Sequence, residues 1–491
     1  MPVNSKHKDY KKREGQWTRC RDTVEGTDVI KARATRYLPL LSGQTASEYN
    51  AYRERAMFFG ASARTVDGLA GAVFRKKYVL EYPESKRVLL DDITEESSSL
   101  DVLLRLVIRE ILTVGRTGIL VDVTPASEGD TRAYITQYTA ENILNWRMQR
   151  VNGKNVLVYV ALAETYEDDG ADQFERVDKD QIRILVLVNE EGIEGAIYKQ
   201  AVYRKNQKEQ WVLAEQVTPV RNGKNLDFIP FKFINASNVE VTPLKPPLLD
   251  MVDVNLSHYR TSADLEHGAH FTALPTPVLS GFSTKSKYRI GSGTAWVSEN
   301  AQAKAQFLEY TGQGLGALRD LRKDKESAMA VLGARMLEEQ KRVAEATETH
   351  KLRASGEHGP LVAMVGIVEN AMEEALKWHA EWSSISDSQV KTIELTMNKD
   401  FIGARLNAAD LTALMKAKQA GELSQDTFLH NLKEGEILPD DTSIEDEKDA
   451  IEADGNTNGD SLQSGAPVTP IKREFELVRG EDGKASGITE K

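Results

Sequence analysis

Apolar residues recur every three or four positions over several long stretches of this chain, and every second position over one central block. In residues 45–76, Tyr49, Tyr52, Ala56, Phe59, Ala63, Val66, Ala70 and Val73 form one stripe. The stripe predicts a single helix, with Gly60, Gly68 and Gly71 thinning or kinking it. LDVLLRLVIREILTV predicts a second helix, with Ser99 placed to cap its start and Gly115 to end it. TGILVDV (Thr117–Val123) reads as a short buried strand. Between Tyr134 and Asn235 the period changes to two in VLVYVALAETY, QIRILVLV, GAIYKQAVYR, QWVLAEQVTPV and FIPFKFI. Turns at Asn152-Gly153 and Asn222-Gly223 punctuate these strands, so a mostly antiparallel sheet is expected.

PPLLDMVDVNLSHYRTSADLEHGAHFTALPTP (246–277) then predicts a long helix fenced by proline at both ends. Leu249, Val252, Leu256, Tyr259 and Ala263 form its one apolar stripe. The other faces carry Asp250, Asp253, Asn255, His258, Arg260, Asp264 and Glu266, too polar for a helix buried on all sides. A glycine- and serine-rich segment follows, and then a charged helical stretch over residues 315–340. Ala354–Trp382 predicts another long helix, striped by Leu361, Val365, Val368, Met372, Ala375 and His379. KTIELTMN (Lys391–Asn398) alternates as a strand. Residues 407–433 read as a helical pair, with caps at Asn407 and Ser424 and a stop at Gly421. Beyond about Ala453 the polar, glycine-rich chain is expected to be mobile, with room for a terminal hairpin around Gly480–Gly483.

Composition narrows the class. The chain has 491 residues, 40% hydrophobic and 28% charged, enough for about three folded domains. No repeat of solenoid or propeller length is visible. MPVNSKHKDYKKREG lacks the apolar core of a secretory signal. The longest uncharged apolar run, Pro360–Val368, is far shorter than the roughly 20 residues that span a bilayer, so no membrane partner is expected. A single cysteine, Cys20, excludes a disulfide framework; it is expected as a surface thiol on a mobile basic arm containing Lys6, Lys8, Lys11, Lys12 and Arg13. The net charge of −12 is concentrated between Glu434 and Asp460, where eleven acidic residues face one lysine. The rest is nearly neutral, unlike a protein that grips DNA through many phosphates.

Reactive constellations are scarce. There is no GxxxxGK[ST] phosphate loop and no GxSxG elbow, and Gly312, Gly314 and Gly316 lack the strand and acidic partner of a dinucleotide site. Glu266, His267 and His270 are the best metal-ligand candidates, but the spacing is not HExxH and zinc catalysis needs a third ligand. No cofactor and no catalytic turnover are expected. RMLEEQKRVAEATETHKLRAS (Arg335–Ser355) reads either as a solvated helix with i, i+4 ion pairs or as a mobile loop presenting Lys341, Arg342, Lys351 and Arg353 to a polyanion.

The order of parts, and several stretches of wording, resemble the portal proteins of tailed bacteriophages. The stretches are YLPLLSGQTASEYNAYRERAMFFGASARTVDGLAGAVFRK, NILNWRMQRVNGKNVLVYVALAE, DFIPFKFINA, PPLLDMVDVNLSHYRTSADLEHGAHFTALPTPVLSGF and EATETHKLRASGEHGPLVAMVGIVENAMEEALKWHAEW. The resemblance implies an α+β, portal-type architecture: a mixed helix/sheet wing, long stem helices, a small α/β clip, a helical crown and a mobile C-terminal tail. On this sequence it implies a basic arm over residues 1–30, a wing over 31–245, a first stem helix over 246–273 and a clip over 274–314. A second stem helix then takes 315–335, a tunnel loop 336–352, a long tunnel helix with a wing strand 353–406, a crown 407–452 and a flexible acidic tail 453–491.

The same resemblance implies a homo-oligomeric ring of twelve subunits at one capsid vertex of a virion assembled in the host cytoplasm. It implies double-stranded DNA passing through the channel, and as partners the terminase large subunit, a head-tail adaptor, the major capsid protein and a scaffold. Glu338, Glu339, Lys341, Arg342, Glu345, Glu348, Lys351 and Arg353 would line the channel. Lys285, Lys287 and Arg289 would present the clip to motor or adaptor, and Leu249, Val252, Leu256, Tyr259 and Ala263 would pack the stem. At about 1.5 Å per residue, about 24 helical residues span roughly 36 Å, a sensible thickness for crossing a shell. The alternatives are a non-portal, self-assembling virion scaffold and a metal-dependent enzyme built on Glu266, His267 and His270.

Overall fold

A computed structural model describes residues 2–124, 132–151, 153–169, 176–189, 195–221, 223–237, 241–273, 276–283, 287–289, 295–308, 312–334, 336, 359–401, 408–434, 437–438, 442–459, 475–479 and 485–490. The chain forms two compact units, Met1–Phe401 and Ile402–Lys491.

The first unit opens with α1 (Lys8–Glu25) and α2 (Thr27–Ala32). The N-terminal stretch is therefore an ordered helix where a mobile arm was expected. Among its few apolar residues, Tyr10, Trp17 and Cys20 are buried and Val24 is half-buried. Cys20 is fully enclosed and not a surface thiol, and burial pushes the thiol up to about 12. Arg21 fastens the helix to the body, donating to both carboxylate oxygens of Glu110 at 2.8 and 3.1 Å and to Glu141 at 2.6 Å.

The single helix expected over residues 45–76 is two, α3 (Ala46–Arg55) and α4 (Ala61–Val73). A capping box between Thr45 and Glu48 starts α3, and Ala56 turns extended to end it. The break is paid for by a distant side chain. Asn255 donates to the Phe59 carbonyl at 2.8 Å and accepts from the Ser62 amide at 3.1 Å, taking up backbone groups that a continuous helix would have paired.

After β1 (Val79–Glu81) comes α5 (Leu100–Val114), whose Leu103, Leu104, Val107, Ile108 and Ile111 lie in the centre of the unit. Gly115 ends α5 in the left-handed conformation, as its position predicted, whereas the Ser99 side chain makes no cap hydrogen bond. β2 (Arg116–Val123) and β3 (Ala133–Thr139) follow. β4 (Ile143–Val151), β5 (Lys154–Asp169), β6 (Arg176–Asn189), β7 (Ala196–Lys205) and β8 (Trp211–Val217) form a five-stranded antiparallel meander in sequence order. The small hairpin β9 (Val220–Arg221) and β10 (Lys224–Asn225) leads to β11 (Phe231–Asn235), which returns to β2 in a three-stranded sheet ordered β11-β2-β3.

The rest of the unit is α6 (Leu249–Ala273), β12 (Thr276–Ser280), β13 (Lys304–Leu308), α7 (Gln313–Ala334), α8 (Pro360–Trp382), α9 (Asp387–Val390) and β14 (Glu394–Thr396). β14 pairs antiparallel with β1. One core joins α4, α5 and α8 to the inner residues of the three-stranded sheet; α8 contributes most among the helices, including Leu361, Val365, Val368, Met372 and Ala375 of its expected stripe. A second core gathers α1, α3, the proximal half of α6 and the meander. Between the two sheets lies a buried polar layer. Glu164 accepts from Arg183, Tyr138 and Gln181 at 2.6, 2.6 and 2.8 Å, and Asp122 accepts from Gln200 at 2.9 Å. Burial pushes the Asp122 carboxyl above its ordinary range despite Arg183 nearby.

In the second unit α10 (Ala408–Gln419), α11 (Gln425–Glu434) and α12 (Ile444–Gly459) precede a hairpin of β15 (Phe475–Arg479) and β16 (Ala485–Glu490). Ser424 accepts from the Thr427 amide at 3.1 Å, as a cap should, and Gly421 is left-handed; Asn407 lies outside the described residues. α12 runs past Ala453, where the mobile tail was expected to begin. Glu445, Asp446 and Glu447 in its first turn face the positive end of the helix dipole, which offsets part of their repulsion.

Candidate functional site

The two long helices α6 and α7 run antiparallel and are joined through the β12–β13 hairpin. Side-chain contacts fix the register. Met251 clusters with Met329, His258 Nε2 lies 3.1 Å from Glu326 Oε1, and Lys325 donates to Thr261 Oγ1 at 2.5 Å and the Ser257 carbonyl at 3.2 Å. At the far end a Cβ on Gly268 would stand 2.8 Å from Leu315 Cδ2, so the two helices approach closely there and any side chain at this position would displace the leucine. At about 1.5 Å per residue the 25 residues of α6 extend over roughly 37 Å.

The proximal half of α6 is held in the body. Leu249, Val252, Leu256, Tyr259 and Ala263 are all buried in the second core, so the predicted stripe is a true packing face within one chain. The polar remainder departs from expectation. Asn255, His258, Thr261 and Ser262 are buried too, because α4 and α7 cover the opposite face. Periodicity missed them because hydropathy reads such residues as polar; Asn255, His258 and Thr261 meet hydrogen-bond partners on α4 and α7, whereas the buried Ser262 Oγ meets none among the described residues. Tyr52 donates to Asp264 at 2.6 Å, and the Arg260 guanidinium donates to the Tyr37 carbonyl at 3.0 Å. Lys325 is held below its usual range by burial, and Arg260 adds to the effect.

Burial fades along the pair. None of residues 266–272 of α6 is buried, and of the 22 residues of α7 only Met329 is. Phe271, Leu321 and Val331 are 48%, 45% and 51% exposed. Phe271, Gly268, Gly312, Leu315 and Leu318 line an apolar cleft of about 730 Å³ between the distal ends. Beyond it the hairpin exposes Val278, Phe307 and Leu308, and Trp296 packs on Phe307 with ring centroids 5.7 Å apart.

Of the three cations expected on a clip, Lys287 and Arg289 are exposed, and Lys285 lies outside the described residues. Glu338, Glu339, Lys341, Arg342, Glu345, Glu348, Lys351 and Arg353 also lie outside them. The ends of that interval meet, since the Leu361 amide donates to the Met336 carbonyl at 3.2 Å and Met336 is buried.

His267 and His270 do not form a ligand set with Glu266. The His267 ring packs edge-on against Tyr52 and Phe271, and Arg55 Nη2 lies 3.4 Å from its Nδ1. Burial and then Arg55 hold His267 below its usual range, an environment hostile to a cation. Among the described residues no group of three or more His, Cys, Asp or Glu converges on a metal-sized site, and no helix is long and apolar enough to cross a membrane.

A family model described as a domain of unknown function (DUF4055) matches residues 247–383, the interval from α6 through α8. No curated protein matches the chain. Among solved structures, a chain in the neck of an empty GTA particle, computed with C6 symmetry, is 12% identical with a TM-score of 0.36, covering 78% of this chain and 92% of that one. A chain in the neck of a native GTA particle, computed with C12 symmetry, is 11% identical with a TM-score of 0.33, covering 77% and 91%. A chain in the virion of a native gene transfer agent particle is 11% identical with a TM-score of 0.36, covering 84% and 99%.

Proposed function

We propose that this protein is a portal-type subunit that closes head-to-tail into a ring, twelve being the number its sequence resemblance implies. The ring sits at one capsid vertex, conducts double-stranded DNA during packaging and ejection, and docks the terminase large subunit and a head-tail adaptor. The observation that carries this reading is α7, a helix of 22 residues with one buried side chain and with Leu321 and Val331 turned to solvent. A helix draws most of its stability from packing an amphipathic face, and the monomer supplies α7 with little beyond the line that meets α6. A neighbouring copy in a head-to-tail ring supplies the missing cover. Mass photometry and negative-stain images of the purified chain should show closed rings, and Leu321→Asp with Val331→Asp should shift the population to smaller species. Monomers and dimers alone, across salt and protein concentration, would refute the reading.

In this reading residues 336–352 line the channel, and Lys285, Lys287 and Arg289 face motor or adaptor. The mixed charges of MLEEQKRVAEATETHKL suit a lining that meets phosphates without holding them, because each carboxylate offsets a nearby cation. Replacing Glu338, Glu339, Glu345 and Glu348 by glutamine should leave the ring intact, strengthen DNA retention and steepen its salt dependence. Normal assembly with unaltered packaging and retention would remove this segment from the channel.

A further inference from the structure

On the body, away from the distal helix pair, α1, the short turn Ala34–Arg36 and the proximal part of α6 border an open cleft of about 650 Å³. Lys11, Lys12, Arg19, Arg36 and Arg260 line it, against a single carboxylate, Asp253. Arg19 Nη1 lies 3.4 Å from Asp253 Oδ1, so the one acid is already engaged. Among the described residues no carboxylate pairs with Lys11, Lys12, Arg36 or Arg260. Arg260 is held in place by its bond to the Tyr37 carbonyl, and Arg19 Nε is out of water with no hydrogen-bond partner among the described residues. Five cations from three separate elements converge here on a chain whose overall charge is −12.

We propose that this cleft binds an acidic segment of a partner protein. Like charges gathered in a concavity raise the local potential and lower the free energy of a bound anion. The shape selects which anion. A duplex is a stiff rod carrying one charge about every 1.7 Å of axis, and it needs a long basic stripe. An open cleft rimmed by five cations is instead met by a short, flexible run of carboxylates that can follow its curve. Arg19, Arg36 and Arg260 supply planar forks that match carboxylates two oxygens at a time. The near-neutral remainder of the chain gives duplex DNA no broader field to follow.

The test uses the full-length chain and a fluorescent glutamate octamer, read by anisotropy at moderate salt, with a labelled random-sequence duplex as the second probe. The octamer should bind, and Lys11→Glu with Arg36→Glu should weaken it by about tenfold or more. Lys11→Gln with Arg36→Gln should give an intermediate loss, and it carries the test if the first pair does not fold. Lys208→Glu, on the exposed turn between β7 and β8, should change nothing. Absent octamer binding, or binding equal in all variants, overturns the proposal. A duplex that displaces the octamer with the same sensitivity to these variants also overturns it, in favour of a nucleic-acid site.

Discussion

Replacing Arg21 by methionine should destabilise the first unit by about 3 kcal/mol, because it strands a buried carboxylate. Glu110 is 8% exposed, and Arg21 is its only charged partner among the described residues, with the Ala140 amide adding one weak bond at 3.4 Å. Burial already outweighs that guanidinium and holds the Glu110 carboxyl above its ordinary value of 4.5. Without Arg21 the carboxyl must rise further. A carboxyl raised in the folded state lends stability below its unfolded value and loses it as pH climbs through the folded one. The variant's deficit should therefore be largest near pH 8 and shrink toward pH 5, where Glu110 takes up a proton. Urea unfolding of wild type and variant at both pH values reads this directly. Adding Glu110→Gln to Arg21→Met should recover much of the loss at pH 8. A deficit that does not vary with pH would mean that Glu110 is not the group Arg21 serves.

A single methyl at position 118 should cost about as much again. A Cβ on Gly118 would overlap the Phe231 ring and stand 2.9 Å from Ile143 Cδ1. Phe231 has no room to withdraw, since it packs on Phe233 at 5.0 Å and Tyr138 at 6.1 Å between ring centroids. Overpacking a filled core typically costs about 1–3 kcal/mol, and this site is at the upper end because the obstruction is a locked ring. Gly118→Ala should lower the urea midpoint accordingly. Phe231→Leu on that background should restore part of it, although the same change alone is destabilising. An unchanged midpoint in Gly118→Ala would show that β2 and β11 do not meet as described.

Local patterns carried much of the architecture. Residues 100–114 are apolar on so much of their surface that only a central helix can bury them, and Gly115 ends it because glycine alone enters the left-handed region freely. The period-two runs between Tyr134 and Asn235 could bury one face only as antiparallel strands joined by tight turns. The five stripe residues of α6 were legible for the same reason, since their spacing alone places them on one face. The small steps were not legible. α1 carries only four apolar residues among many charges, and Arg21 ties it to Glu110 and Glu141, residues far away in sequence.

The break between α3 and α4 was equally hidden. The stripe continues across it, and Asn255, almost two hundred residues later, takes up the Phe59 carbonyl and the Ser62 amide that the break exposes. Likewise β14 has, among the described residues, only β1 as its strand partner, a segment too short to form a sheet alone. Hydrophobic period and turn chemistry act over a few residues, so the sequence by itself determined which segments are helices or strands and which face each one buries. Hydrogen-bond and ion-pair partners are chosen across the whole chain. The tertiary structure therefore decided where helices break, which polar residues go inside, and that α7 is left with most of its surface uncovered.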